Sequence, residues 1–423
     1  MARDKINLNI AFVGHVDHGK STTIGRLMFD SGNVSEQQLN KLREEAQKHG
    51  KAGFEFAYVM DRFKEERERG VTIDLAYKKL ATQHFQITII DAPGHKDFVK
   101  NMITGASQSD AAFLTVAASE GVQPQTREHL WLLRTMGVKQ VAVVINKMDV
   151  VDYKEEEFNK VREELKKLIK MTGMDPEKTV FIAASGLKGD NVFNKSENMA
   201  WYKGPTIFEQ LDKFESPAKL TALPLRMPVQ DAYEITGIGT VPVGKIVTGE
   251  MKIGQKVIVL PGRTGTGVNG EVRTIEMHHE QMSEAQAGDN VGISIRGVGK
   301  KDIARGDVIC DAAKPAPIVK EFTAQIAVIN HPTVIAKGYT PVFHVHTGQV
   351  PCQIIELIEK REGDTVVKNP DFLKNGDVAK VRIQPMGHLV LEKQADNPMM
   401  SGFAIRDAGN TVAAGVCIDL IAK

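Results

Sequence analysis

The chain has 423 residues, 42% of them hydrophobic and 25% charged, which is enough apolar material for a buried core. At about 100–200 residues per domain, that length predicts two to four domains. Lys and Arg number 54 against 53 Asp and Glu, and both halves share the balance: 31 against 31 before Ser216, leaving 54 − 31 = 23 against 53 − 31 = 22 from there on. Such neutrality excludes a protein that coats nucleic acid indiscriminately. The three cysteines, Cys310, Cys352 and Cys417, lie far apart and form neither a paired metal pattern nor a disulfide framework, as expected in a reducing cytoplasm. No apolar run reaches the ~18 residues of a membrane helix, so no membrane partner is expected.

In chain order, the apolar run Ile6–Val13 reads as a first strand leading straight into a glycine loop. Further β-rich runs at Phe85–Ile90, Ala111–Val116, Gln140–Ile145 and Thr179–Ala183 alternate with amphipathic stretches such as Gln123–Met136 and Lys154–Met171. That alternation predicts an α/β domain over residues 1–215, with a mostly parallel sheet and helices on both faces. A charged, helix-prone insertion, Ser35–Gly70, interrupts it, with helices expected over Glu36–His49 and Ala57–Arg69 and no core of its own. After a linker at Ser216-Pro217-Ala218-Lys219 the texture changes to short β-rich segments punctuated by glycine, and a second linker, Ala312–Pro317, divides them. The spacing of turns predicts two small all-β barrel domains, 224–313 and 318–423.

Gly14-His15-Val16-Asp17-His18-Gly19-Lys20-Ser21 fits the phosphate-loop pattern G-x-x-x-x-G-K-[ST], after a predicted strand and before a predicted helix. Backbone amides of the loop, from Asp17 and His18 through Gly19 to Thr22, can wrap phosphate oxygens, and the helix N-terminus adds positive potential. Lys20 is expected to reach the β- and γ-phosphates and the Ser21 hydroxyl to bind Mg²⁺. Asp91-Ala92-Pro93-Gly94 follows the strand Phe85–Ile90, so Asp91 can hold Mg²⁺ through water and the Gly94 amide can approach the γ-phosphate. Asn146-Lys147-Met148-Asp149 follows the strand Gln140–Ile145. Asp149 can accept two hydrogen bonds from guanine, a donor pair that adenine lacks, which selects GTP over ATP. Ser185-Gly186-Leu187 follows the strand Thr179–Ala183 and can contact the base through its backbone. Each string alone is weak; four in order, each after a strand, make a GTP/GDP site with Mg²⁺ the expected reading.

Arg69-Gly70-Val71-Thr72-Ile73-Asp74 is read in two ways: as the start of a strand, or as a switch whose Thr72 binds Mg²⁺ only while the γ-phosphate is present. Beside the other motifs the switch is preferred. His95, directly after Gly94, can position the attacking water, or it can cap the helix that starts at Asp97. Lys20, Thr72 and His95 are therefore the candidate catalytic residues.

GHVDHGKST, RGVTID, DAPGHKDFVKNMITGASQSDAA and NKMD together closely resemble the elongation factor 1-alpha branch of the elongation factor Tu family of translational GTPases, over essentially the whole chain. The helical insertion and the compact length resemble the archaeal form. The resemblance implies a GTP-dependent carrier that brings aminoacyl-tRNA to the ribosomal A site, hydrolyses GTP on codon recognition and leaves as the GDP form. It implies the ribosome and a guanine nucleotide exchange factor as partners, with an archaeal release factor and the rescue factor Pelota as further ones. Val16 and Val71 resemble the family's apolar gate that keeps His95 from water; read from the residues alone, each valine is equally a core residue. Glu276, His278 and Asn290, with Asp231, Tyr233 and Val241, resemble its pocket for the aminoacylated 3′ end, although the His278-His279 pair is chemically ambiguous and also suits a solvated strand. Lys337-Gly338-Tyr339, His344 and His346, and Phe403–Gly409 resemble the family's surface for the tRNA stem and for domain contacts; His344 and His346, expected on one strand face, suit packing as well as RNA contact. Leu187 departs from the Trp that eukaryotic and many archaeal members carry, leaving backbone contact with the base but no ring to stack.

Three other readings share part of this pattern. A termination or rescue paralogue has the same nucleotide motifs but usually an N-terminal extension before the glycine loop. The GTPase subunit of sulfate adenylyltransferase has the same domain plan but needs no aminoacyl pocket. A non-enzymatic actin-binding or scaffold role needs no complete hydrolytic set, yet Lys20, Ser21, Thr72, Asp91 and His95 are all present.

Overall fold

The structure is a computed structural model that describes residues 5–423 apart from 52, 61–65, 67–71, 217–219, 278–279 and 363–364. The chain divides near residue 217 into two compact units.

The first unit is a six-stranded sheet of β1 (Ile6–Gly14), β2 (Ala76–Ala81), β3 (Phe85–Asp91), β4 (Ala111–Ala117), β5 (Gln140–Asn146) and β6 (Phe181–Ala183). Their spatial order is β2-β3-β1-β4-β5-β6, all parallel except β2, which pairs antiparallel with β3. The parallel strands read as continuous apolar runs because both faces are covered: Leu8, Ile10, Phe12, Ile87 and Phe113 on one face and Val13, Ile90, Leu114 and Val143 on the other are fully buried. The five predicted strands are present, each within about two residues of its predicted ends. β2 was not foreseen, because Lys78 and Lys79 break its apolar pattern and it lies at the sheet edge, where one side stays wet.

Helix α1 (Lys20–Asp30) follows the glycine loop. In the insertion, α2 (Glu36–Lys48) starts in a capping box in which Ser35 and Gln38 satisfy each other's backbone amides. The short α3 (Glu55–Tyr58) follows, and Phe56, Val59 and Met60 pack into the sheet's own core alongside Ile24 and Leu27. The insertion thus has no separate core, as expected, while most of the second helix expected there, Ala57–Arg69, lies outside the described residues. Helices Pro124–Thr135 and Glu155–Met171 occupy the predicted amphipathic stretches.

The second unit holds two closed barrels. Strands Lys256–Leu260, Val308–Asp311, Arg226–Ile235, Gly239–Lys245, Asn290–Arg296 and Val268–Met277 pair in that order, and the last pairs back onto the first. Strands Val342–Val345, Gly402–Asp407, Asn410–Ala422, Val319–Val328, Val378–Pro385 and Gly348–Glu362 close in the same way. Closure removes the exposed edges that short antiparallel sheets otherwise present. Between the barrels lie Val247, Leu260, Val308, Cys310, Val390 and Met400. Buried Arg226 makes two bonds to Glu392, Nε to Oε2 at 3.0 Å and Nη2 to Oε1 at 2.9 Å, and Asn397 donates to Glu392 Oε2 at 2.9 Å. Among the described residues no helix is long and apolar enough to cross a membrane.

Candidate functional site

Sheet register explains why the motifs meet. Phe12 lies opposite Asp91, Gly14 opposite Thr115, Ala117 opposite Asn146, and Ile145 opposite Ala183. Every loop that leaves a parallel strand therefore starts from the same carboxyl edge, and the glycine loop leaves β1 where its neighbours β3 and β4 diverge in chain order. One cleft at this edge is lined by Val16, Asp17, Gly19, Lys20, Ser21 and Thr22 from the loop and α1. Across from them stand Thr72, Gly94 and His95, with Asn146, Lys147, Asp149, Gly186 and Leu187 at the far end.

At the phosphate end, Gly19 caps α1 with a left-handed φ of 87°, no side-chain cap is made, and the first turn carries no acidic residue. The positive end of the helix is thus uncompensated at the cleft, an arrangement suited to phosphate. Lys20 Nζ donates to the carbonyls of Gly14 (3.0 Å) and His15 (2.8 Å). Burial pushes its pKa down to about 8, against the pull of the Asp91 and Asp17 carboxylates. The Gly14 amide donates to Nδ1 of fully buried His129 at 3.0 Å, which makes that imidazole an acceptor there, and burial holds it well below the usual histidine pKa.

Ser21 Oγ donates to Asp91 Oδ2 at 2.6 Å and lies 3.1 Å from Thr72 Oγ1. Asp91 is fully buried; burial raises its pKa to about 6, opposed by the Ser21 hydrogen bond and Lys20, and its Oδ1 has no hydrogen-bond partner. Glu66 braces the segment carrying Thr72, its Oε1 accepting from the amides of Ile73 (3.0 Å) and Asp74 (3.1 Å), while Asn101 Nδ2 donates to Ile73 O at 2.9 Å. A Cβ on Gly94 would stand 2.4 Å from Lys20 Nζ and 2.7 Å from Val16 N, so only glycine permits this approach. His95 lines the cleft, and its Nδ1 accepts from the Asp97 amide at 3.3 Å, capping the turn Lys96–Phe98. The capping role weighed against catalysis is therefore the one its side chain performs here. Val16 is in the cleft wall, and Val71 lies outside the described residues.

At the base end, Asn146 is a tie rather than a simple lining group. Its Nδ2 donates to His18 O (2.9 Å) and Thr23 Oγ1 (3.3 Å), and its Oδ1 accepts from the Gly186 amide (2.8 Å). Ser185 Oγ donates to Asp149 Oδ1 at 2.6 Å and orients that carboxylate. Leu187 is 44% exposed at the rim. The ring of His18 is fully buried and outside the cleft lining, so only the backbone of this residue can face a bound phosphate.

Several residues here carry no motif signal. Gly53, Phe54 and Ala57 bring the insertion into the cleft wall, and Glu66, Asn101, Glu120 and His129 brace it from distant segments. A lone buried histidine or glutamate in a helix-prone string looks like any other until the fold supplies its partner.

In the first barrel, Asp231, Val243, Gly292 and Glu276 are register partners in one row across four strands, and Tyr233 faces Val241 two positions along. Asn290 begins its strand opposite Lys245. A Cβ on Gly292 would touch Val243 at 3.5 Å and Val241 at 3.6 Å, so the missing side chain leaves a hollow between these valines. Five of the six candidate residues thus lie on neighbouring strands; His278, with His279, lies outside the described residues. In the second barrel His344 and His346 do not share a strand face. The strand ends at Val345, and His346 turns away with a φ of 52°. Both are buried, and burial pushes the His346 pKa down to about 4, so packing is their role. Tyr339 donates to Asp407 Oδ2 at 2.7 Å.

Residues 5–218 match the elongation factor Tu GTP-binding domain, 239–310 elongation factor Tu domain 2, and 321–418 the eukaryotic-type elongation factor 1-alpha C-terminal domain. The elongation factor 1-alpha of Methanocaldococcus jannaschii is 57% identical, with all of both chains covered, and that of Archaeoglobus fulgidus 52%, with 99% of each covered. Among solved structures, translation elongation factor SelB from Methanococcus maripaludis with a GTP analogue shares the fold, with a TM-score of 0.70, 24% identity and coverage of 99% of this chain and 80% of that one. The chain belongs to the elongation factor 1-alpha family of translational GTPases, and its function is translation elongation.

Proposed function

We propose that the protein binds aminoacyl-tRNA in its GTP form, delivers it to the ribosomal A site, and leaves as the GDP form after hydrolysing GTP in the cleft described above. The observation that supports this most is the meeting of Lys20, Ser21, Thr72, Asp91 and His95 at the N-terminus of α1, with Asp149 at the other end of the same cleft. The phosphates would lie along the loop amides and Lys20, and guanine against Asp149, oriented by Ser185.

The residues present suit Mg²⁺. Two hydroxyl oxygens and a buried carboxylate converge, one carboxylate oxygen lacks a partner, and hard oxygen ligands are what this ion takes. Among the described residues no cluster of three or more His, Cys, Asp or Glu exists that could hold a metal alone, which fits an ion completed by phosphate and water. When bound, Mg²⁺ neutralises charge on the β- and γ-phosphates. Ser21, Thr72 and, through water, Asp91 would hold it. Thr72 would hold Mg²⁺ only while the γ-phosphate is present, so loss of that phosphate would release its segment and so report hydrolysis to the rest of the protein.

His95 would orient the attacking water once its capping bond to Asp97 is exchanged for one to that water, with Val16 and Val71 controlling access. The 3′ end of aminoacyl-tRNA would lie over Gly292, beside Glu276, Asp231 and Tyr233, with Asn290 at its margin; His278 is a further candidate for contact with the amino acid. The ribosome and a nucleotide exchange factor are the partners this cycle calls for, in the cytoplasm; an archaeal release factor and Pelota are further candidates that rest on the family resemblance alone.

The test is protection of the aminoacyl ester. With GTP the protein is expected to slow hydrolysis of the ester on charged tRNA and to ignore uncharged tRNA; with GDP it is expected to give no protection. Protection independent of the nucleotide would reject the carrier role.

A further inference from the structure

One of the side chains that brace the cleft from outside its lining, Glu120, joins two of the motifs. Glu120 follows β4 in a tight turn, where its amide donates to Ala117 O at 3.2 Å and that of Gly121 to the same carbonyl at 2.9 Å. Gln123 Nε2 donates to Glu120 O at 2.9 Å, so the backbone is held from both sides. Its carboxylate is divided between two motifs. Oε1 accepts from Lys147 Nζ, in the base-reading loop, at 3.1 Å, and Oε2 lies 3.5 Å from His18 Nε2, in the phosphate loop. At that length the second contact is a charge–dipole attraction, since burial holds the His18 ring neutral with a pKa of about 4. Lys147 has a left-handed backbone, φ 60°, a conformation that costs a non-glycine residue about 1 kcal/mol and persists only where neighbours hold it.

We propose that Glu120 is a positioning residue that clamps the phosphate loop to the base-reading loop through His18 and Lys147, and that this clamp sets how long a guanine nucleotide stays bound. The idea rests on the reading of this cleft as the nucleotide site. Both loops contact the same ligand, at opposite ends, so separating them loosens phosphate and base together. Asn146 ties the same two loops through a neutral hydrogen bond to His18 O. Glu120 adds a charged tie on the partly exposed rim, with 40% of its side chain accessible against 31% for Lys147. A tie in that position opens more readily than the buried one and is weakened by salt.

The experiment follows release of a fluorescent GDP, and of a non-hydrolysable GTP analogue, from the full-length wild type, Glu120→Ala and Glu120→Gln. Release from Glu120→Ala is expected to be about two- to fivefold faster for both nucleotides, the range of a half-exposed ion pair. Glu120→Gln keeps the shape and one acceptor, and is expected to fall between. High salt is expected to narrow the difference between variant and wild type, and Glu120→Ala is expected to add little to Lys147→Ala. Single-turnover hydrolysis of pre-bound GTP is expected to stay at the wild-type rate. Unchanged release in both Glu120 variants, or full additivity with Lys147→Ala, would overturn the clamp alone. A wild type that retains no guanine nucleotide would overturn the reading of the cleft, and the clamp with it.

Discussion

In the first unit, loops from four parallel strands and an insertion meet in a single cleft, because parallel strands deliver every following loop to one edge of the sheet. In the second unit, the residues expected to meet tRNA lie in register across the outside of a closed barrel, each held by its own strand. At the cleft, Lys20, Asp91 and Ser185 are buried, and polar groups bond to one another, as in Ser21 to Asp91 and Ser185 to Asp149. On the barrel, Asp231, Tyr233 and Glu276 are exposed. A buried, mutually bonded group gives large and specific effects when changed, since its partner is left unsatisfied, whereas an open face spreads a ligand's energy over several modest contacts.

The sharpest way to break this comparison is Asp149→Asn. It is expected to move preference from GTP toward the xanthine nucleotide, with guanine selectivity falling by ~10⁴ because the carboxylate is replaced by an amide of opposite hydrogen-bonding sense. Competition between the two nucleotides measures it, and a variant that still selects GTP would contradict the assignment. Next in size, His95→Ala is expected to keep nucleotide affinity and to slow ribosome-stimulated hydrolysis by ~10²–10⁴, the range for a positioned group at the reacting water. A wild-type single-turnover rate would leave His95 as a cap for the turn Lys96–Phe98 and nothing more.

The barrels also contain one place built like the cleft, and it sharpens the contrast. Glu392→Ala would strand the Arg226 guanidinium, whose side chain is 3% exposed, in the layer between the barrels. Breaking a buried pair in this way costs about 3–5 kcal/mol. The thermal midpoint of the second unit is expected to fall with nucleotide affinity unchanged; a shift as small as that of a surface pair would show the site to be wet. The smallest effect is expected on the open face. Glu276→Ala is expected to weaken aminoacyl-tRNA binding by about tenfold, or ~1.4 kcal/mol, with GTP hydrolysis unaffected. A loss of hundreds-fold would mean that this face carries a single dominant contact, as the cleft does.

How much could be read in advance follows the same division. The strands β1, β3, β4 and β5 were legible because a doubly covered parallel strand needs an unbroken apolar run, and the motifs after them because phosphate and guanine chemistry demands particular residues there. β2 was hidden by Lys78 and Lys79, and the pairing of His344 with His346 was misread because local alternation cannot reveal where a strand stops. Glu66, Glu120 and His129 were invisible for a different reason. Each acts on a residue between seven and 115 positions away in sequence, and no local pattern records such a partner.

The sequence by itself determined the three-part order of the chain and the guanine-nucleotide chemistry of its first part, and it named the candidate residues for that chemistry, because period, turn chemistry and hydrogen-bonding capacity are properties of short segments. Only the tertiary structure decided that Asn146 ties two loops together, that His95 rests as a cap, that His346 is buried, and that Glu120 stands between the two ends of the cleft. Those facts depend on which strands become neighbours and in what register, and that is settled by the burial of the whole core rather than by any one segment.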